Sequence, residues 1–215
     1  MRIHVQGESF ELMRERCLFW PSQRLLVVAD CHFGKAETFQ HHGLWLPSAS
    51  ITQDLAILST LTSRLSAEQL LFLGDLVHSL AGVTEDIVHD FADWMTSYPG
   101  HVQVVVGNHD AGLAKRWPAA WNGAQLSEHV RIGNFLFQHQ PADEPSQDGT
   151  FYWAGHVHPV MRLERGPDRI RLPAFVISKF QGLLPAFSHL AGGFEVSPSV
   201  HDRVFVVGQQ DVHEV

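Results

Sequence analysis

Five short apolar runs in this chain each end in Asp, His or Asn, and that repeated ending constrains the fold more than any other feature. Leu25–Ala29 runs into Asp30-Cys31-His32, Leu70–Leu73 into Gly74-Asp75, and Val102–Val106 into Gly107-Asn108-His109-Asp110. Phe135–Phe137 leads to Gln138-His139, and Phe151–Ala154 to Gly155-His156-Val157-His158. Short runs of branched and aromatic residues closed by glycine or a polar cluster read as buried strands. Between the first three, apolar residues recur at helical spacing. Ser48 is placed to cap a helix carrying Ile51, Leu55, Leu58 and Leu65. Thr84 is placed to cap another, with Glu85 and Asp86 in its first turn and Ile87, Phe91, Trp94 and Met95 as its stripe. Strands and helices alternate early, and mostly strands follow from Val130, including Leu172–Ile177 and Val204–Val207. The pattern predicts an α/β fold with a mixed sheet or two packed sheets. The acidic, proline-containing stretch Gln140–Gly149 reads as a surface loop.

In open α/β sheets, ligands bind beyond the carboxyl ends of the strands, so these polar endings are expected to share one crevice. Asp30 and His32 are two apart, as are His156 and His158; on an extended backbone each pair leaves by the same face. The carboxylates of Asp30 and Asp75, the Asn108 amide and the imidazoles of His32, His139, His156 and His158 would be costly to bury together without a cation. With cations they form mixed nitrogen–oxygen sites, suited to manganese, iron or zinc more than to calcium or magnesium alone. Two ions roughly 3.5–4 Å apart require one bridging carboxylate. Asp75 is the choice.

The chain has 215 residues, and one domain spanning 1–215 with a sizeable core is expected. Lys and Arg number 15 against 23 Asp and Glu, a net charge of −8, which argues against coating duplex DNA through a broad basic face. It leaves open an enzyme that holds one phosphate through metal. The 15 histidines are the unusual count, in keeping with such a site. Cys17 and Cys31 are too few for a disulfide scaffold or a thiolate zinc site. Residues Met1–Glu8 contain no apolar core of a signal segment, and no apolar run approaches the roughly 20 residues that span a bilayer, so a cytoplasmic protein is expected.

The ordered set D-x-H, G-D, G-N-H-D, H and G-H-x-H over residues 30–158 resembles the calcineurin-like metallophosphoesterase superfamily, with every ligand position filled. The resemblance implies one metal on Asp30, His32, Asp75 and His158, and another on Asp75, Asn108, His139 and His156. The stretch Asp30–Phe39, then Gly43-Leu44, Pro47, Gly74–Ser79, Leu184–Phe187 and Gly192-Gly193, is similar to the bacterial ligase-associated DNA damage response endonuclease family. That likeness implies a four-layer αββα sandwich with mixed β-sheets and two divalent ions, Mn2+ first, with Fe or Zn as alternatives. It also implies phosphodiesterase activity in DNA repair, beside a DNA ligase, a helicase and an exonuclease-like metallo-β-lactamase protein. Where the serine/threonine protein phosphatases read G-D-x-V-D-R-G, this chain has His78 and no Arg-Gly. G-D-x-x-H is similar instead to the nuclease subunit of double-strand-break repair complexes, which favours a diester. UDP-diacylglucosamine pyrophosphohydrolases continue differently after G-D.

On this reading an activated water attacks phosphorus and His109, next to Asn108, protonates the leaving alkoxide. His78 orients His109 or touches the phosphate, and Asp110 fixes the loop. Lys35, in a polar loop past the first motif, meets a substrate phosphate or is a solvated lysine; His41 and His42 of that loop read as surface residues. Lys115, Arg116, Trp117 and Trp121 interleave charge with aromatics as strand-binding proteins do, but packing is favoured for the tryptophans. Cys31 is expected to point away from the ligands into the core. Phe187 and Leu190 are candidates for an exposed partner surface. Two other functions remain: a small-molecule nucleotide phosphodiesterase or pyrophosphatase, and a non-catalytic adaptor, which the intact ligand set disfavours.

Overall fold

The computed structural model describes residues 1–44, 51–165 and 168–215, and its first strands show how burial alternates to build a sheet. β1 (Arg2–Val5) buries Ile3 and Val5 and exposes Arg2 and His4, a period of two. Gln6 and Gly7, at φ 47° and 85°, turn it into antiparallel β2 (Glu8–Leu12), as a two-residue hairpin with two positive φ angles does. β3 (Leu18–Trp20) and β4 (Leu25–Val28) complete an antiparallel meander. β5 (Gln69–Leu73), β6 (His101–Val105) and β7 (Ala124–Ser127) then add in parallel, so the first sheet runs β1 to β7 in order.

Among the described residues four α-helices, α1 (Lys35–His41), α2 (Ile51–Leu65), α3 (Glu85–Ser97) and the single turn α4 (Ala111–Ala114), connect its parallel half. Residues 35–41, expected as loop, are therefore helical. Thr84 caps α3, its hydroxyl oxygen accepting from the Ile87 N–H, whereas the expected cap Ser48 lies outside the described residues.

The second sheet comprises β8 (His129–Ile132), β9 (Phe135–Gln138), β10 (Phe151–Ala154), β11 (Pro159–Arg165), β12 (Asp168–Ile177), β13 (Gln181–Leu183), β14 (Phe194–Glu195), β15 (Arg203–Val207) and β16 (Val212–Glu214). Its order is β14-β11-β12-β13-β10-β9-β8, with β15 pairing β12 and β16 pairing β15. Parallel and antiparallel neighbours mix in both sheets. Their inner faces share a core in which Phe10 meets Trp20, Phe135 and Trp153 at ring-centroid distances of 5.0, 5.1 and 5.0 Å. The outer face of the first sheet packs Leu26, Val28, Phe72 and Val104 against Leu55, Leu58 and Leu61 of α2 and Phe91 and Trp94 of α3. β4 and β5 are thus buried on both faces, which is why they read as continuous apolar runs. The result is an α/β sandwich of two mixed sheets, as expected. Among the described residues every helix precedes Ala124, so the helical cover lies on the first sheet.

The expected apolar partner surface at Phe187 and Leu190 is not there. Phe187 is 2% exposed and belongs to the helix-side core, and Leu190 is half-buried. The cause is backbone pairing: Leu184 N–H bonds Ala154 C=O and Phe187 N–H bonds Ala29 C=O, both at 2.8 Å. Residues 184–187 thereby clasp the ends of one strand from each sheet.

Candidate metal centre

β4 and β5 end side by side, and their backbones stay zipped beyond the sheet. Asp30, His32 and Phe33 donate N–H bonds to the carbonyls of Gly74, Asp75 and Leu76 at 3.1, 2.9 and 2.8 Å. The expected extended backbone at the paired motifs is wrong. Asp30 and His32 have φ 56° and 48°, His156 and His158 67° and 50°, and Asp75 48°. Each pair converges because two left-handed residues flank a residue without positive φ, which bends the chain twice in the same sense. Five non-glycine residues in that region cost on the order of 1–2 kcal/mol each, and such strain gathers at functional sites.

Glycines make the room. A Cβ on Gly74 would overlap the His139 ring, one on Gly107 would overlap the Asp75 carboxylate, and one on Gly155 would crowd Asp30. Each motif's glycine is therefore the space that another motif's donor fills. The carboxylate of Asp30 is held by His156 N–H at 3.1 and 2.9 Å, and Asp75 Oδ1 by His109 N–H at 2.9 Å. Asp110, 1% exposed, accepts the N–H groups of Leu76, Val77 and Gly107 at 3.0–3.1 Å and so fixes the loop, as expected.

Among the described residues three donor groups result, each with donor atoms within 4.8 Å of one another: Asp30, His32 and His158; Asp75, His139 and His156; and, nearer the mouth and without a carboxylate, His32, His78 and His109. His32 Nε2 lies 3.2 Å from His158 Nε2, which is 3.4 Å from Asp30 Oδ1. His139 Nε2 lies 3.0 Å from Asn108 Oδ1, 3.1 Å from His156 Nδ1 and 3.4 Å from Asp75 Oδ1. The Nδ1 atoms of His139 and His158 face the carbonyls of Leu73 and Gly192 at 3.2 and 3.0 Å. With those protons on Nδ1, the Nε2 lone pairs of His139 and His158 point into the cluster, where a cation can accept them. Asp75 lies between the first two groups: Oδ1 turns toward His139, and Oδ2 lies 3.9 Å from His32 Nε2.

Electrostatics act differently on each donor. Burial drives the His32 imidazole down to about 3, which keeps it neutral as a metal donor must be. Burial also pushes His139 and His158 down, but Asp75 beside the first and Asp30 beside the second outweigh it, so both sit above the ordinary histidine value. Asp75 is held below the usual carboxylate range, because His139 and His109 outweigh its burial. Cys31 points into the helix-side core, and burial raises its thiol well above the ordinary value, so it supplies no thiolate.

His109 stands at the mouth of this cluster with its side chain 38% exposed, Nδ1 2.6 Å from the His78 carbonyl and Nε2 3.9 Å from Asp75 Oδ2. His78 reaches His109 in a way not expected from sequence. Its backbone carbonyl, rather than its imidazole, accepts from His109, and its ring stacks between His109 at 5.2 Å and Phe39 at 5.9 Å. Burial, then Lys35 and His109, lowers the His78 imidazole to about 4. Phe39 was missed because its helix was missed. Lys35, first residue of α1, borders a cavity of about 220 Å³ with His32, Asp54, Ser188 and His189. His41 and His42 are exposed. Trp121 is fully buried against Phe91, and Trp117 donates to the Trp121 carbonyl, so both pack rather than stack on a strand.

The model of the calcineurin-like phosphoesterase family matches residues 23–163, which contain all of these donors. A nuclease MPE from Pseudomonas putida is 32% identical over 100% of this chain and 99% of its own, with a TM-score of 0.85. Yfce, a phosphoesterase from E. coli, is 14% identical over 89% and 97%, with a TM-score of 0.46. No curated protein matches the chain.

Proposed function

Because the chain belongs to the calcineurin-like phosphoesterase family and is a hydrolytic phosphoesterase, we propose that it is a nuclease cutting phosphodiester bonds in DNA at a dinuclear centre, in DNA repair. The observation that carries this reading is the placement of Asp75, whose two oxygens face two separate donor groups. One ion would be held by Asp30, His32, Asp75 and His158, the other by Asp75, Asn108, His139 and His156. Manganese suits this donor set, and iron or zinc would fit it. When bound, such ions polarise phosphoryl oxygens and lower the pKa of an attacking water from about 15.7 to near 7.

The chain's own residues do the rest. Asp110 and the three glycines hold the donors in place before substrate arrives, which removes reorganisation cost. His109 donates Nδ1–H to the His78 carbonyl, and this aims Nε2 into the crevice, where it delivers a proton to the leaving alkoxide. His78 is a positioning residue, fixed between Phe39 and His109. Lys35 attracts a substrate phosphate at the rim. DNA ligase, helicase and exonuclease-like proteins are the companions this role calls for, in the cytoplasm. Among the described residues no helix is long and apolar enough to cross a membrane.

A second reading, a small-molecule nucleotide phosphodiesterase or pyrophosphatase, draws on the cavity of about 220 Å³ beside His32, which suits one nucleoside. A labelled single-stranded oligonucleotide and bis-p-nitrophenyl phosphate, each given to the manganese-loaded chain with Asp75→Ala as control, separate the two. Cleavage of both, lost in the variant, supports the nuclease. Cleavage of the small diester alone moves the function to nucleotides, and no cleavage of either rejects both readings.

A further inference from the structure

This acidic chain gathers positive charge where its strands run past the crevice. Leu183 of β13 pairs with Ala154 at the end of β10 on one side and with Val176 of β12 on the other. β12 runs antiparallel to β13, so its residues before Val176 continue beyond the end of β10, on the side of His156 and His158. From Asp168 to Val176 that overhang is about 26 Å long. β11 starts directly after His158 and pairs with it as a hairpin.

Register gives the hairpin two faces. Phe175 and Ile177 point into the core between the sheets, and alternation puts Arg169 and Arg171 on the same face. Arg162 stands opposite Arg171 and Glu164 opposite Arg169, while Met161, Leu163, Ile170 and Leu172 take the other face. The face continuous with the inter-sheet side therefore carries three guanidinium groups and one carboxylate, with Glu195 of β14 at its edge opposite Val160. Arg162 and Arg169 both bond Glu164 Oε1, at 3.0 and 3.3 Å, so two cations share one anion. Arg162 facing Arg171 is a like-charge cross-strand pair, which on its own destabilises a sheet. Arg171 donates to the Gly193 carbonyl at 2.9 Å, and the neighbouring Gly192 carbonyl faces His158 Nδ1 at 3.0 Å. The arginine face ends on the turn that orients a donor of the candidate metal centre.

We propose that this face of the β11–β12 hairpin binds the phosphate backbone of a single nucleic-acid strand leading away from the crevice; the proposal rests on the nuclease reading. Guanidinium groups fork phosphate oxygens, and an anion lying between Arg162 and Arg171 relieves their repulsion. A strip one hairpin wide fits one strand, while a duplex would bring a second row of phosphates against a chain of net charge −8.

Fluorescence anisotropy of a labelled single-stranded DNA oligonucleotide over a salt series, using the full chain, tests this. The double variant R162Q/R169Q is expected to raise Kd about tenfold or more, and to flatten the slope of log Kd on log salt by about 1.4, at ~0.7 per lost phosphate contact. Glu164→Gln, which removes the shared anion, is expected to tighten Kd several-fold. Wild-type Kd and salt slope in both variants would overturn the proposal, as would weaker binding with an unaltered slope. Wild-type hydrolysis of bis-p-nitrophenyl phosphate reports on the metal chemistry separately. A chain that cleaves the diester while both variants bind the strand like wild type keeps the chemistry and loses the hairpin. A chain that hydrolyses nothing, yet shows the expected shifts, keeps the strand-binding face and loses the nuclease reading.

Discussion

At the scale of single residues, His109 is the sharpest test of the chemistry. Its Nε2 is aimed by a bond from Nδ1 to a carbonyl, so His109→Ala removes the proton donor and leaves the two carboxylate-bearing donor groups whole. Turnover of a diester with a poor alkoxide leaving group should fall about 10²–10⁴-fold, and that of a p-nitrophenyl diester much less, since its leaving group needs no proton. Equal losses on both substrates would assign His109 another role. Gly107→Ala tests the glycine interlock. The added methyl displaces the Asp75 carboxylate, so bound manganese per chain, read by elemental analysis, should drop, with a stability cost of about 1–3 kcal/mol. The donor residues were legible in sequence because their chemistry is written in residue type. Their left-handed conformations were not, because Asp and His tolerate positive φ without requiring it. The glycines were legible only as punctuation; which side chain each accommodates is a long-range property.

Among the elements, β4, β5, β6 and β10 were readable as apolar runs, and α3 from its cap and stripe. α1 was not. Its motif residues Gly34 and Lys35 drew attention as chemistry, while Ala36, Glu37, Gln40 and the buried Thr38 make an ordinary helix behind a left-handed Gly34. β1–β3 were overlooked because no polar motif closes them. The first turn of α2 offers a measurable pH effect. Burial pushes the Asp54 carboxyl up to about 6 against the pull of Arg16. Between the ordinary carboxylate value and about 6 the folded chain holds a proton that the unfolded chain releases, so stability should decline as pH rises through that window. Asp54→Asn should abolish this slope and gain about 1–2 kcal/mol at pH 7.5, a figure reduced for partial exposure, as read from urea midpoints at pH 4.5 and 7.5.

For the whole molecule, the net charge of −8 described partners poorly because it averages over the surface. The arginines gathered on one face of one hairpin become visible only through strand register. The crevice itself adds a global dependence. Lone pairs from both sheets converge there, so chelation should leave mutual repulsion between the sheets. Ions at ~1,000 times their Kd stabilise by about 4 kcal/mol, and a chain of this size should therefore lose roughly 8–16 °C in Tm on chelation, recovered with manganese. A calorimetric trace indifferent to chelation would mean that the donors hold no ion.

The clasp at residues 184–187 and the turn at Gly192 also impose an order in time. A growing chain has made its last donor at His158, but the carbonyl that steadies it arrives 34 residues later. At roughly 5–20 residues per second, synthesis leaves some seconds in which the donors exist without their support. A chain whose donors take up ions only once that carbonyl is in place would begin its hydrolytic chemistry only after those later residues have been made.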